Sequence, residues 1–181
     1  MNSSLPESVG LSRRNVLKVG VCAGAFLSTV GLAASLSGCS ASSPASDFNV
    51  LRDSDLPFLH ALIPVMLEGS LGPVSVSSAM TSTLKSIDAT LSALSPEVLK
   101  LTQQLFDVLA LPIIRAPLTG IWGRWDNASP EQIKAFLDRW DNSSLSLLRM
   151  GHNALQQLVM MAWYSRPQSW AQCGYPGPPT V

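Results

Sequence analysis

The sequence predicts an all-α fold: a compact bundle of four to five helices followed by an extended Pro/Gly-rich C-terminal tail. Three observations carry this. Beyond position 52 apolar residues recur at steps of three and four, no stretch alternates polar and apolar residues long enough to line a sheet, and β-branched residues are sparse outside Val74–Val76. At 181 residues the chain has room for one domain and its processing segments. The expected division is 1–38 as a leader, 39–52 as a flexible tether, 53–165 as the helical domain and 166–181 as the tail.

Each helix has a start signal. Asp53 or Ser54 can cap the first, with Pro57 early in it, where a missing N–H costs little; Leu56, Leu59, Leu62, Ile63, Met66 and Leu67 form its stripe. Pro64 should kink or end this helix, and Gly69–Pro73 should turn. A second helix is expected from about Ser75 to Leu94, with Val76, Met80, Leu84, Ile87, Leu91 and Leu94 inward and Ser/Thr outward. Ser95-Pro96-Glu97 supplies a cap, an N1 proline and a first-turn acid for a third, with Val98, Leu101, Leu105, Phe106, Val108 and Leu109 as its core positions. Pro112–Gly123, which holds Arg115 and runs into Arg124 and the pair Trp122/Trp125, is expected to be irregular. Ser129 and Gln132 stand at capping-box spacing ahead of Ile133, Phe136, Leu137 and Trp140. The last helix, about Ser144 to Tyr164, should bury Leu145, Leu148, Leu155, Leu158, Val159, Ala162 and Trp163.

The N-terminus is an address. Ser12-Arg13-Arg14-Asn15-Val16-Leu17-Lys18 places Ser12, Arg13, Arg14, Leu17 and Lys18 as a twin-arginine export (Tat) motif. Val19–Leu36 follows, eighteen uncharged residues diluted by glycine. A transmembrane helix needs roughly 20 predominantly apolar residues, so this is a signal core rather than a span. Leu36-Ser37-Gly38-Cys39 is a lipobox, which makes Cys39 the candidate lipidation site and the mature N-terminus a membrane anchor; cleavage at an ordinary small-residue site is the alternative. The expected location is the periplasmic side of a bacterial membrane. Because the twin-arginine route carries folded cargo, this domain either holds a cofactor or travels with a partner that does.

Composition excludes several function classes. Past position 38 the chain carries nine basic and eleven acidic residues, a net charge of −2, so nucleic acid is not an expected partner. His60 and His152 lack metal-ligand spacing, and the sequence has no C-x-x-C-H, cysteine cluster, phosphate-loop glycine motif or G-x-S-x-G. Asp107, Asp126, Asp138 and Asp141 are scattered singly, as surface residues or caps are. No catalytic, cofactor-binding or metal-binding residue is therefore assigned; an enzyme using His152 with a nearby acid is the weakest alternative. Cys22 leaves with the leader and Cys39 takes lipid, so Cys173 is the only thiol left, expected to be a buried free thiol, with a disulfide to a partner as the alternative. The tail interleaves aromatics with proline, a composition suited to interfaces.

These residues resemble a known family. Ala61-Leu62-Ile63-Pro64, the twin-arginine leader, and Ala162-Trp163-Tyr164 followed by Pro167-x-x-Trp170-x-x-x-Gly174-Tyr175-Pro176-Gly177-Pro178 are similar to the small subunits of membrane-associated FAD-dependent dehydrogenases, such as gluconate 2-dehydrogenase subunit 3 and the sorbitol dehydrogenase small subunit. Gly120-Ile121-Trp122-Gly123-Arg124-Trp125 fits less specifically. The resemblance spans roughly Leu51 to Pro179. It implies a small helical subunit without a cofactor, which binds a large FAD-carrying subunit of the glucose–methanol–choline (GMC) type that lacks its own export signal. A cytochrome c subunit often accepts the electrons in this family, whereas a lipobox is not general in it. The candidate partner-docking residues are Arg166, Trp170, Cys173, Gly174, Tyr175, Pro176, Gly177 and Pro178. The rival reading is a stand-alone envelope lipoprotein with a binding or scaffolding role.

Overall fold

The structure, a computed structural model, describes residues 43–177. The twin-arginine motif, Cys39 and Pro178 lie outside them. Seven α-helices are described: α1 Leu56–Met66, α2 Val76–Ser92, α3 Pro96–Ala110, α4 Pro112–Thr119, α5 Pro130–Asp141, α6 Ser146–Tyr164 and α7 Pro167–Cys173, with a 3-10 turn at Trp125–Asn127 between α4 and α5. The all-α expectation holds, with two more helices than the largest number predicted. Among the described residues the one β-feature is an isolated antiparallel bridge between Pro44 and Arg52.

Helix α1 is the centre. Its sequence, Leu-Pro-Phe-Leu-His-Ala-Leu-Ile-Pro-Val-Met, is apolar on nearly every side, and α2, α3, α5, α6 and the 3-10 turn all pack against it. Phe58, Leu59, Leu62 and Ile63 are buried, and so is Leu67 just beyond the helix. Pro64 does not break the helix, which ends two residues later. A run of aromatic rings crosses this core. Phe106 meets Phe58 edge-on at 5.1 Å, Phe58 meets Trp125 at 6.2 Å, Trp125 meets Phe136 at 6.0 Å, and Phe136 meets Trp140 at 4.9 Å. Edge-to-face pairs of this kind add about 1 kcal/mol each beyond area burial. Both indoles also hold a helix end. Trp125 Nε1 donates to the Leu109 carbonyl at 2.9 Å and Trp140 Nε1 to the Leu118 carbonyl at 3.0 Å, meeting acceptors that the last turns of α3 and α4 leave open.

The predicted caps form. Ser75, Ser95 and Ser129 accept from the backbone three residues on, and Gln132 returns its side chain to the Ser129 N–H to close the capping box. The hydroxyls of α2 bond back along their own helix, Thr83 to the Ala79 carbonyl at 2.7 Å for instance, which lets Thr83 lie buried.

Three expectations are corrected. Pro112–Gly123 is not irregular throughout, since α4 occupies Pro112–Thr119. Pro112 sits at N1, and Pro117 frees the carbonyl of Ile113, a residue 91% exposed and so open to water. Val76, Val98, Leu101 and Leu145 are exposed rather than core, because they lie on the outer side of α2, α3 and α6, while Val74, Ala79, Leu99 and Leu148 close by do pack on the core. Finally, the second half of the expected tether is folded onto the domain. Ala45 and Leu51 are buried, and the Ala45 N–H donates to the Leu51 carbonyl at 2.8 Å.

Asp88 on α2 holds that segment. Its carboxylate accepts from the backbone N–H of Asn49 (2.9 Å), Val50 (2.8 Å) and Leu51 (3.0 Å) and from Asn49 Nδ2 (3.0 Å). Burial alone would push its pKa up; the Leu51, Asn49 and Val50 donors outweigh burial and hold it below the ordinary 3.8. Arg52 completes the strap by pairing with Asp55 at 2.9 Å and Asp107 at 2.8 Å, tying it to the starts of α1 and the end of α3.

Three outcomes of this packing can be measured. Replacing Asp88 with Ala leaves the buried Leu51 N–H and the partly buried N–H groups of Asn49 and Val50 without their acceptor and should cost about 3 kcal/mol in urea unfolding. Since the folded-state pKa is depressed, the carboxylate's contribution is complete above 3.8 and lost as pH falls through the folded value. The acid limb of an Asp88→Asn stability curve should therefore be flatter than that of the native chain; parallel curves would contradict the clamp. In α6, a Cβ on Gly151 would stand 2.7 Å from Trp140 Cζ3 and 3.4 Å from Leu105 Cδ1. Gly151→Ala gains about 1 kcal/mol of helix propensity but overpacks the crossing by about 1–3 kcal/mol, so a net fall in Tm is expected by calorimetry.

Candidate partner-docking surface

Among the described residues, the stretch 166–177 forms a short helix and a reversal, a hook, at the start of the expected tail. Pro167 takes the N1 position of α7, which packs on α6, and Ser169 is fully buried with its hydroxyl on the Arg166 carbonyl at 2.7 Å. Trp170 Nε1 donates to the Tyr164 carbonyl at 2.9 Å, a third case of an indole meeting an open acceptor at a helix end. Gly174 then turns the chain in the left-handed region at φ +70°, where a side chain would be strained. The Tyr175 N–H returns to the Trp170 carbonyl at 3.0 Å, and the Tyr175 ring stands edge-on to Trp170 at 5.3 Å. Gly177, at φ +105°, passes so close that a Cβ there would be 3.3 Å from Trp170 Cζ3. Proline at N1 and glycine at the C-cap thus make a short helix and a reversal where the composition alone suggested an extended chain.

Six of the eight candidate residues are brought together here. Trp170 is half-buried at the centre of the hook, while Cys173, Gly174, Tyr175 and Pro176 are exposed around it and Gly177 closes it. Cys173 is a free thiol on the surface, not the buried one expected; its Sγ donates to the Trp170 carbonyl at 3.3 Å. Arg166 stands apart from the six. Its guanidinium lies over the buried Trp163 ring at 5.0 Å, and Nη2 donates to Thr83 Oγ1 on α2 at 3.4 Å. Burial pushes its pKa down. Arg166 is a strut between α6 and α2, and Trp163 is core, as expected.

The scattered acids have partners that the sequence did not show. Asp107 pairs with Arg52, and Asp126 with Arg124 at 2.9 Å. His152 is largely buried, its Nδ1 3.4 Å from Asp141 Oδ1 without the alignment of a hydrogen bond. Among the described residues no serine, threonine or cysteine hydrogen-bonds to His152, so the pair has no nucleophile attached. A groove between α1 and the start of α5 is lined by His60, Pro64, Trp125, Asp126 and Pro130. Among the described residues no three His, Cys, Asp or Glu side chains converge to hold a metal ion, and no helix is long and apolar enough to cross a membrane. Sequence reasoning also left Trp122 and Trp125 as a pair; Trp125 is buried and Trp122 exposed, a division no spacing signal marks. No family model, curated protein or solved structure matches the chain.

The hook is testable by itself. Trp170→Ala should release residues 167–177 to limited proteolysis while the bundle keeps its cooperative unfolding; an unchanged cleavage pattern would contradict the hook. In the folded protein Cys173 should react stoichiometrically with a thiol reagent without denaturant.

Proposed function

We propose that this chain is the non-catalytic small subunit of a membrane-associated, FAD-dependent dehydrogenase of the GMC type, which escorts the flavin subunit through the Tat pathway and anchors it at the periplasmic face through lipid on Cys39. The observation that carries the reading is one chain joining a twin-arginine leader to the Trp170-x-x-x-Gly174-Tyr175-Pro176-Gly177-Pro178 ending. A route reserved for folded cargo calls for a reason to fold first, and loading FAD into a partner supplies one. Support also comes from an all-α domain of the expected size and from a surface hook that displays Tyr175, Pro176 and Cys173, the contact types a docking site needs. The FAD belongs to the partner, and a cytochrome c subunit would take the electrons from it.

A leaderless flavin oxidoreductase is expected to be encoded beside this chain, and co-expression of the two should yield a yellow complex in the periplasmic membrane fraction. Replacing Arg13 and Arg14 with Lys should strand both chains in the cytoplasm, and Cys39→Ser should release the complex from the membrane. Export of the flavoprotein in the double-lysine variant would overturn the escort role. A colourless monomer at the membrane would point instead to a stand-alone envelope lipoprotein.

A further inference from the structure

We propose that the loop Gly120–Arg124 is a second, rigid docking anchor, on which Trp122 enters an apolar pocket of a protein partner whose acidic rim meets Arg139. The inference rests on the preceding reading only for the identity of that partner as the flavin subunit.

The backbone on either side of Trp122 is held, and Trp122 itself is not covered. Gly120 caps α4 at φ +78°, and Ile121 is buried as a peg, its N–H on the buried Thr119 hydroxyl at 3.1 Å. Arg115, only 5% exposed, donates through Nη2 to the Gly123 carbonyl and lies 5.3 Å from the Trp125 ring. Trp125 is held in turn by its bond to the Leu109 carbonyl. Between these fixed points Trp122 is 79% exposed. A tryptophan offers about 200 Å² of surface to bury, and holding it on a loop already ordered removes the entropy cost that docking would otherwise carry.

Charge says what kind of surface covers it. Arg115 is a buried guanidinium without a carboxylate partner among the described residues, its Nε unpaired and its pKa pushed down by burial. Arg139 of α5 lies over the same loop, close enough that a Cβ on Gly120 would be 2.6 Å from its Nη1, and it too forms no ion pair among the described residues. Gly120 is thus needed twice, for its backbone angle and for the seat it gives Arg139. Arg124 is neutralised by Asp126. One exposed ring on a loop overlaid by the exposed, unpaired Arg139 complements an apolar pocket rimmed with carboxylates, and Trp and Arg are the side chains that dominate such interface centres. A polyanion or an anionic bilayer fits less well, since such surfaces are held by several basic side chains, and with Arg124 paired to Asp126 the loop is left with Arg139 as its one exposed, unpaired cation among the described residues.

The test uses the full chain co-expressed with the leaderless flavin oxidoreductase that the escort reading requires, and reads the affinity of the purified pair by dilution. Trp122→Ala should weaken the pair roughly thirtyfold, Trp122→Phe should recover part of this, and Arg139→Glu should weaken it in a salt-dependent way. Thermal melts of the free variants should match the native chain, because both side chains are exposed. If the native chain and Trp122→Ala hold the flavoprotein equally, this anchor is refuted and the escort reading stands. If the native chain does not hold it at all, the escort reading itself fails. Self-association seen by ultracentrifugation, or binding to phosphatidylglycerol vesicles, that disappears in Trp122→Ala would give the ring to a second copy or to lipid and overturn the proposal.

Discussion

A helix that is apolar on nearly every side has to be surrounded, and α1 imposes that condition on the rest of the chain. Its eleven residues cannot be satisfied by one neighbour, so four helices and the 3-10 turn close around it. The aromatic rings from Phe106 through Phe58, Trp125 and Phe136 to Trp140 are the connected part of that enclosure, joining α3, α1, the turn and α5. Bundles commonly meet helix-end carbonyls with water or caps. Here indole N–H groups meet three of them, so the groups that fill space also fix where helices stop. The Asp88 clamp extends the enclosure to the strap before α1, which lays Leu51 into the core.

The helical class, the capped starts of α2, α3 and α5 and the central stripe of α1 were legible because each rests on local chemistry: a hydroxyl before a proline, an acid in a first turn, a spacing of three or four. The elements that were not legible share a cause. Prolines 112, 117 and 167 punctuate a chain read locally, yet at N1 a proline is harmless, and at Pro117 the freed carbonyl is in water. Whether the apolar residues at 98, 101 and 145 face inward depends on which side of each helix its neighbours cover, which the helix's own sequence does not encode. Asp88 could not be singled out among scattered acids, since its donors lie 37 to 39 residues away.

The candidate docking site shows the same division. The residue types in the tail marked it as a contact surface, and Trp170 and Tyr175 do come together. The sequence did not reveal that Arg166 turns inward as a strut, that Cys173 is exposed, or that Trp122 rather than Trp125 is the ring left in water. Each of those depends on tertiary neighbours. Both displayed aromatics follow a left-handed glycine that reverses the chain, Gly120 before Trp122 and Gly174 before Tyr175.

The folded strap also sets a leash length. Pro44 is bridged to Arg52, and five Cα–Cα steps of chain separate Pro44 from Cys39. Fully extended, they reach at most about 18 Å, less than the roughly 30 Å breadth of a small domain. With lipid on Cys39, as proposed, the domain cannot swing freely or stand off from the bilayer; the face from which the strap emerges stays at the headgroups. An anchor this short orients what it retains, and a large partner must approach from the side that remains open.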